Sequence, residues 1–187
     1  MKIKSNASSA EISSPFYKIN EDFCRKFENY ISTKNGKVKG NYNAWSYLVE
    51  GKIINPTPWN LKYKKATYTS SGNLLLSSKK QNLLTMVEWS TLSLDSNNSE
   101  FEILRKDRIG LMNMILKNDF KKYKSTEDYL IRKSGNNNVP LEKYYDALKP
   151  IFDSKEIYSI IQKNKILTIS LRTDQHLFDI FDKLISV

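Results

Sequence analysis

The segment from Leu83 to Arg105 constrains the fold more than any other part of the sequence. Its first arm, Leu83 to Leu94, is rich in β-branched, aromatic and aliphatic residues, and its second arm, Glu100 to Leu104, alternates charged and apolar residues. The Asp, Ser and Asn residues between the arms favour chain reversal, because their side chains bond the neighbouring backbone. The pattern predicts an antiparallel β-hairpin.

The two arms differ in how regularly they alternate. In the second arm Phe101 and Ile103 share one face, which we expect to be buried, while the glutamates between them face solvent. The first arm breaks its alternation near Glu88 to Ser90. Either a β-bulge shifts the phase there, which we favour, or the strand is central and covered on both faces.

Length and composition are those of one folded domain. The chain has 187 residues, of which 40% are hydrophobic, 27% charged and 12% aromatic. We expect residues 1–14, which are small and polar, to be a mobile arm, and residues 15–187 to be a single domain. No apolar run approaches the roughly 20 residues that cross a bilayer. Together with the single cysteine, Cys24, this favours a cytoplasmic protein without transmembrane segments.

Helices are predicted where apolar residues recur at a spacing of 3.6. The first follows Asn20 as N-cap and ends near Gly36, and another follows Asp107. A third begins at Pro140 and is stopped by Pro150. The last is capped by Asp174 and should dock on the sheet through Leu177, Ile180, Phe181, Leu184 and Ile185.

Strands are predicted where apolar and polar residues alternate. Besides the hairpin these are Asn43 to Glu50, Trp59 to Thr69, and an edge strand from Asp128 to Arg132. The run from Glu156 to Leu171 is either two strands around Lys163-Asn164, which its β-branched content favours, or a helix and a strand. We therefore predict an α+β fold with a largely antiparallel sheet of four to six strands.

The order of these elements resembles that of small bacterial α+β proteins of unknown function. In those proteins a helix, a meander and a helix-hairpin-helix tail follow one another. The resemblance implies this fold class and no activity.

Motifs that carry nucleotide or metal chemistry do not occur in the sequence. Glycine is scarce, and neither G-x-G-x-x-G nor G-x-x-x-x-G-K-[ST] is found. His176, the only histidine, is expected to lie at the surface or close to the N-cap of the last helix, and Cys24 is expected to be a buried or half-buried, inert thiol. We predict no catalytic residue, no metal site and no cofactor.

The net charge of +10 is concentrated in short basic clusters. Lysines can neutralise phosphates and neighbouring tyrosines can stack on bases, so these clusters are candidates for binding a polyanion. Solvated lysines on exposed faces explain the same pattern equally well. The candidate lysines are Lys62, Lys64, Lys65, Lys121, Lys122 and Lys124.

Three functions are compatible with the sequence. The first is a non-catalytic protein-binding module, such as an immunity or adaptor protein, whose aromatic contacts would include Trp45, Trp59 and Tyr63. The second is a binder of single-stranded nucleic acid or of an anionic membrane surface. The third is an enzyme without a recognisable motif.

Overall fold

A computed structural model of the chain describes residues 3–66, 84–92, 100–106, 120–124, 126–134 and 141–186. The described residues form ten strands and four helices, so the protein is a mixed α/β structure with more strands than the four to six predicted. The chain divides into two compact units. Unit 1 comprises Met1–Glu88 with Thr173–His176, and unit 2 comprises Trp89–Arg172 with Leu177–Val187. That residues 1–14 form a mobile arm and that residues 15–187 form a single domain remain predictions.

Unit 1 is built from strands β1 to β4 and two helices. The strands are hydrogen-bonded in the order β1-β2-β3-β4, with β1 parallel to β2 and the other neighbours antiparallel. Strand β5 runs from this unit into the next. The elements are β1 (Lys4–Ser5), α1 (Ser9–Ile12), α2 (Pro15–Thr33), β2 (Lys37–Tyr42), β3 (Tyr47–Ile53), β4 (Trp59–Ala66) and β5 (Leu84–Leu92).

Helix α2 begins earlier than the sequence predicts. Its N-cap is Ser14, whose hydroxyl accepts a hydrogen bond from the N–H of Phe16, and Pro15 occupies the first turn. Asn20 is therefore not an N-cap, and its side chain is completely buried inside the unit. The prediction was wrong because Ser14-Pro15 supplies a complete start signal upstream of the first strongly periodic residues.

Strand boundaries near Asn43 also differ from the prediction. Residues 43–46 form a turn between β2 and β3, because the Asn43 side-chain oxygen accepts hydrogen bonds from the N–H groups of Trp45 and Ser46 at 2.9 and 2.8 Å. The single predicted strand from Asn43 to Glu50 is thus wrong at its start. Strand β4 is confirmed from Trp59 to Ala66, and residues 67–69 lie outside the described part of the chain.

The core of unit 1 lies between α2 and one face of β2 to β4. Phe27 and Ile31 of α2 are fully buried there. A Cβ atom added to Gly51 of β3 would lie 2.5 Å from the Cδ1 atom of Ile31. Glycine at position 51 therefore lets the helix approach the sheet closely.

Unit 2 contains five further strands, in the order β10-β9-β6-β8-β7, and two helices. All neighbours in this order are antiparallel. The elements are β6 (Glu100–Arg105), β7 (Lys121–Lys122), β8 (Tyr129–Ser134), α3 (Glu142–Asp153), β9 (Ile157–Lys163), β10 (Ile166–Arg172) and α4 (Phe178–Ile185).

Both arms of the predicted central hairpin are strands, but they do not pair with each other. One edge of β6 is bonded to β8 and the other to β9, with Ile103 opposite both Ile131 and Ile160. Both edges of β6 are therefore occupied and the hairpin is wrong. The residues between β5 and β6 would allow these two strands to pair, but they do not require it. The apolar partners on β8 and β9 are distant in sequence, and both bury the same face of β6.

Burial along β5 alternates without interruption. Thr85, Val87, Trp89 and Thr91 are buried, and the residues between them are exposed or half-buried. The alternation needs no β-bulge near Glu88, which is exposed. Phe101 and Ile103 of β6 are buried as predicted.

The second predicted hairpin is confirmed as β9 and β10. Asn164 and Lys165 connect the strands with φ angles of 50° and 63°. Strand β8 confirms the strand predicted from Asp128, but β7 pairs with it at Leu130 and Ile131, so this part of β8 is not an edge.

The helices of unit 2 differ from the prediction at their ends. Pro150 lies inside α3, which continues to Asp153, because proline removes one hydrogen bond without preventing a further turn. Helix α4 begins at Phe178, after Leu177 with a φ of 53°, rather than directly after Asp174. Phe181 and Leu184 are buried as predicted. The helix predicted after Asp107 lies outside the described residues.

In the described part of the chain, none of the helices combines the length and apolar character needed to cross a membrane.

Candidate functional site

Five exposed lysines of unit 1 share one face of the sheet, which we call the basic strand face. The antiparallel register places Lys39 opposite Glu50 and Glu50 opposite Lys62. The same register places Lys37 opposite Lys52. The charged residues that β2, β3 and β4 contribute to this face are Lys37, Lys39, Glu50, Lys52, Lys62 and Lys64.

Strict alternation produces this face. In β3 and β4 the residues of the basic strand face alternate with residues that are buried, such as Val49, Leu61 and Tyr63, or half-buried, as Lys65 is. The apolar side chains fix which side of the sheet faces the helix, so the lysines between them must point to the opposite side. The core of unit 1 therefore sets the direction of its charges.

The charges on the basic strand face are unbalanced. Lys39 forms an ion pair with Glu50, with 2.9 Å between the ammonium nitrogen and a carboxylate oxygen. Among the described residues, this is the one ion pair between two side chains of the face. Five lysines against one glutamate leave an excess of four positive charges. Same-face residues of one strand are roughly 7 Å apart, and neighbouring strands about 5 Å apart, so these ammonium groups repel one another.

Lys65 does not belong to the basic strand face. Its side chain is half-buried, and its Nζ donates a hydrogen bond to the side-chain oxygen of Asn20 at 3.0 Å. The same ammonium group lies 5.9 Å from the centre of the Tyr47 ring. Burial lowers the pKa of Lys65, although Asp174 opposes that effect. Lys65 is thus part of the packing of unit 1.

The three other candidate lysines are exposed in unit 2, where carboxylates and aromatic rings partner two of them. Lys122 forms an ion pair with Glu127, and Lys124 lies over the ring of Tyr145. Lys121 lines a groove together with Glu100 and Glu102. These lysines therefore do not form an unbalanced positive surface like the basic strand face.

Two of the three aromatic contact residues predicted from the sequence lie in the core. Trp59 is 2% exposed and Tyr63 is completely buried, because both alternate with the lysines of β4. Trp45 is half-buried in the turn after β2, with its ring centre 6.1 Å from that of Phe16. Of the three residues, Trp45 alone has accessible side-chain surface to offer a partner.

His176 lies directly before Leu177, the N-cap of α4, so its expected position near the helix start is confirmed, but its half-buried ring is packed among aromatic rings and is not exposed at the surface. Its ring stacks on Phe23, and the hydroxyl of Tyr63 donates a hydrogen bond to its backbone carbonyl. Burial lowers the pKa of His176 to about 4, an effect that Lys26 strengthens and Asp22 opposes. The imidazole is therefore neutral near pH 7.

Cys24 is buried, as predicted. It is 1% exposed, and burial raises the pKa of its thiol to about 12. A thiol in this environment stays protonated at neutral pH and is a poor nucleophile.

Two open grooves have charged walls. The first, of about 470 Å³, lies in unit 1, where Lys18 pairs with Glu21 and Arg25 with Asp22. The second, of about 710 Å³, lies in unit 2, where Arg132 pairs with Glu102. Within the described ranges no group of three or more His, Cys, Asp or Glu could hold a metal ion.

No protein-family model, no curated protein and no solved structure matches this chain. The support for the basic strand face is therefore its geometry alone. Sequence reasoning found Lys62 and Lys64 but missed Lys37, Lys39 and Lys52. The signal available for them was the alternation of lysine with Val38 at the start of β2.

Proposed function

We propose that the protein binds polyanions through the basic strand face. The observation that carries the proposal is the set of five exposed lysines that share one side of a sheet with a single glutamate. Helix α2 packs against the opposite side of this sheet. The lysines are therefore accessible to a large partner.

The arrangement favours a chain or surface of many anions over one small anion. The ammonium groups lie on a flat array and repel one another, so a partner that carries repeated negative charges relieves several repulsions at once. A single phosphate would contact only one or two of these lysines.

The chemistry of the face predicts recognition of charge without recognition of sequence. Lysine is a flexible point charge that neutralises phosphates whatever the base sequence, and lysines are five of the six charged residues that β2, β3 and β4 contribute to this face. Trp59 and Tyr63, which could have stacked on bases, are buried on the other side of β4. We therefore expect affinity for phosphate and sulfate polymers with little sequence preference.

The protein-binding function that the sequence favours has less support in unit 1. Interface anchors are commonly exposed aromatic residues, and of Trp45, Trp59 and Tyr63 only Trp45 retains exposed surface. For an enzyme we would look for convergent unpaired polar groups, but the charged walls of both grooves hold ion pairs.

Binding to heparin and to a fluorescent single-stranded oligonucleotide tests the proposal. We expect affinity for the oligonucleotide to fall about a hundredfold between roughly 50 and 200 mM salt if about five phosphates are neutralised. The double variant Lys62→Glu/Lys64→Glu should weaken binding and reduce the salt dependence. Both side chains are exposed, so the variant should fold normally.

A matched control is available in unit 2. Lys121→Glu/Lys122→Glu changes the net charge by the same amount at two exposed strand residues. Equal losses in both double variants would show that total charge, not the basic strand face, governs binding. Absence of binding by the unmodified protein at low salt would exclude the proposed function.

A further inference from the structure

The lysines of the basic strand face differ in whether a carboxylate already neutralises them. Lys39 is held by Glu50, with 2.9 Å between its ammonium nitrogen and a carboxylate oxygen. The register also places Glu50 opposite Lys62, but the carboxylate pairs with Lys39. Within the described ranges the four other lysines of β2, β3 and β4 on this face form no ion pair. They are Lys37, Lys52, Lys62 and Lys64.

The register places these four lysines in one continuous row, which we call the lysine path. Lys37 and Lys52 lie directly opposite each other on β2 and β3, with about 5 Å between their Cβ atoms. Lys52 lies opposite Asn60, so Lys62 is its diagonal neighbour on β4 at about 7–8 Å. Lys62 and Lys64 share one face of β4 and are about 7 Å apart. The lysine path is therefore about 20 Å long.

The lysine path bends around Glu50. Its first part, from Lys37 to Lys52, runs across the strands, and its last part, from Lys62 to Lys64, runs along β4. These two directions are roughly perpendicular, because the hydrogen bonds of an antiparallel sheet are perpendicular to its strands. Glu50 lies on the inner side of the bend. An anionic chain that crossed the middle of the face would pass over this carboxylate and be repelled.

We propose that the lysine path guides one flexible single strand of nucleic acid across the basic strand face, and that Glu50 determines this course. The inference rests on the proposed function and specifies its partner and contact residues. A single strand bends easily, so its successive phosphates can reach all four lysines. A duplex is stiff over about 50 nm, so one of its backbones would follow only the straight part of the path, at Lys62 and Lys64.

Glu50 acts as the specificity-determining residue of this arrangement. It neutralises Lys39 and so removes one of the five lysines from the site. Its position inside the bend also repels phosphates that leave the lysine path on that side. Replacing Glu50 with glutamine would release Lys39 and remove the repulsion. The strand would then gain a fifth lysine contact.

Salt dependence counts the contacts. For single strands the slope of log K against log salt is about −0.7 per neutralised phosphate, so four contacts give about −2.8. Affinity should then fall about fiftyfold between roughly 50 and 200 mM salt, instead of the hundredfold expected for five contacts. A duplex of the same length that contacts two lysines should have a slope of about −1.8.

Two single variants distinguish the lysine path from the total charge of the face. Lys52→Gln removes one contact, so the slope should change to about −2.1 and binding should weaken severalfold. Lys4→Gln is the matched control, because Lys4 is exposed on β1 opposite Asn41, three strands away from Lys64. This variant removes the same charge and should change neither affinity nor slope. An oligonucleotide of about eight nucleotides suffices, because about six phosphates span the path at about 3.4 Å each.

A second pair of variants tests the role of Glu50. Glu50→Gln should increase affinity for the single strand and change the slope to about −3.5, because Lys39 becomes a fifth contact. Lys39→Gln/Glu50→Gln removes both members of the ion pair and leaves the net charge unchanged, so its slope should return to about −2.8. An unchanged slope in Glu50→Gln would overturn the assignment of Glu50.

The outcomes separate this inference from the proposed function. Binding to neither heparin nor the oligonucleotide would exclude both. Binding to heparin alone would support the proposed function and overturn single-stranded nucleic acid as the partner, as would a steeper salt dependence for the duplex than for the single strand. Equal losses of oligonucleotide affinity in Lys4→Gln and Lys52→Gln would overturn the lysine path and leave the proposed function supported.

Discussion

The imidazole ring of His176 stacks on the ring of Phe23, with centres 4.0 Å apart and an angle of 23° between the planes. The ring of Tyr63 meets the imidazole edge-on at 5.8 Å. These contacts fix residues 173–176 to α2 and β4 within unit 1. A charged imidazolium would lose hydration in this aromatic environment, so the packed state requires the neutral ring.

Acid should therefore destabilise unit 1 through His176. The pKa of this histidine falls from 6.5 to about 4 on folding, so the unfolded chain binds the extra proton between these values. The free energy of unfolding should decrease as pH falls through this window, and His176→Phe should decrease less. Urea unfolding of both proteins at about pH 7 and about pH 5 measures the difference.

The comparison of the two proteins reports on a single imidazole, because His176 is the only histidine in the chain. Carboxylates such as Glu21 and Asp22, whose pKa values are lowered by hydrogen bonds to Lys18 and to Lys26 respectively, titrate at lower pH and are present in both proteins. An identical loss of stability in His176→Phe would contradict the assigned role of the histidine.

Local patterns predicted the parts of the fold that neighbouring residues determine. Three examples are the alternation in β4, the β-branched run of β9 and β10, and the apolar side of α4. In each of them the residues of the element itself show the pattern that identifies a strand or a helix. Strand pairing is different, because β6 selects β8 and β9 through apolar residues that are distant in sequence. No local signal identifies such partners.

The candidate site was partly accessible from the sequence for the same reason. Alternation alone indicates that Lys62 and Lys64 point away from Tyr63. Their association with Lys39 and Lys52 depends on the register of β2, β3 and β4, which the predicted strand boundaries missed at the Asn43 turn. The contact of His176 with Phe23 had no sequence signal, because it joins opposite ends of the chain.

Replacing Asn20 should destabilise unit 1. Its buried amide donates to the carbonyls of Asn43 and Ala44 at 2.9 and 3.1 Å and accepts from Lys65 at 3.0 Å. Asn20→Ala leaves these groups without their partner, so we expect unfolding to require about 1–3 kcal/mol less. Asn29→Ala, at an exposed position of the same helix, should change stability by less than about 0.5 kcal/mol in the same urea titration. Equal effects would refute the anchoring role.

Truncation of Phe181 should destabilise unit 2. This side chain of α4 is completely buried, so Phe181→Ala removes apolar contacts and leaves a cavity that the surroundings fill only in part. We expect a loss of about 3–5 kcal/mol, measured by urea unfolding. Lys183→Ala on the exposed side of the same helix is the control. A similar result for both variants would mean that α4 does not pack through Phe181.

Replacing Lys165 with glycine should stabilise the β9–β10 hairpin. Asn164 and Lys165 form its two-residue connection with φ angles of 50° and 63°, a geometry that favours Asn followed by Gly. The Cβ atom of lysine opposes a positive φ, so Lys165→Gly should raise the free energy of unfolding by up to about 1 kcal/mol despite the added freedom of the unfolded chain. Lys163→Gly, in the adjacent strand β9, should instead lower it by roughly 0.5–1 kcal/mol, because extended backbone gives glycine no such advantage. Parallel urea titrations decide the matter: a destabilised Lys165→Gly would show that the lysine side chain contributes more to the turn than its backbone conformation costs.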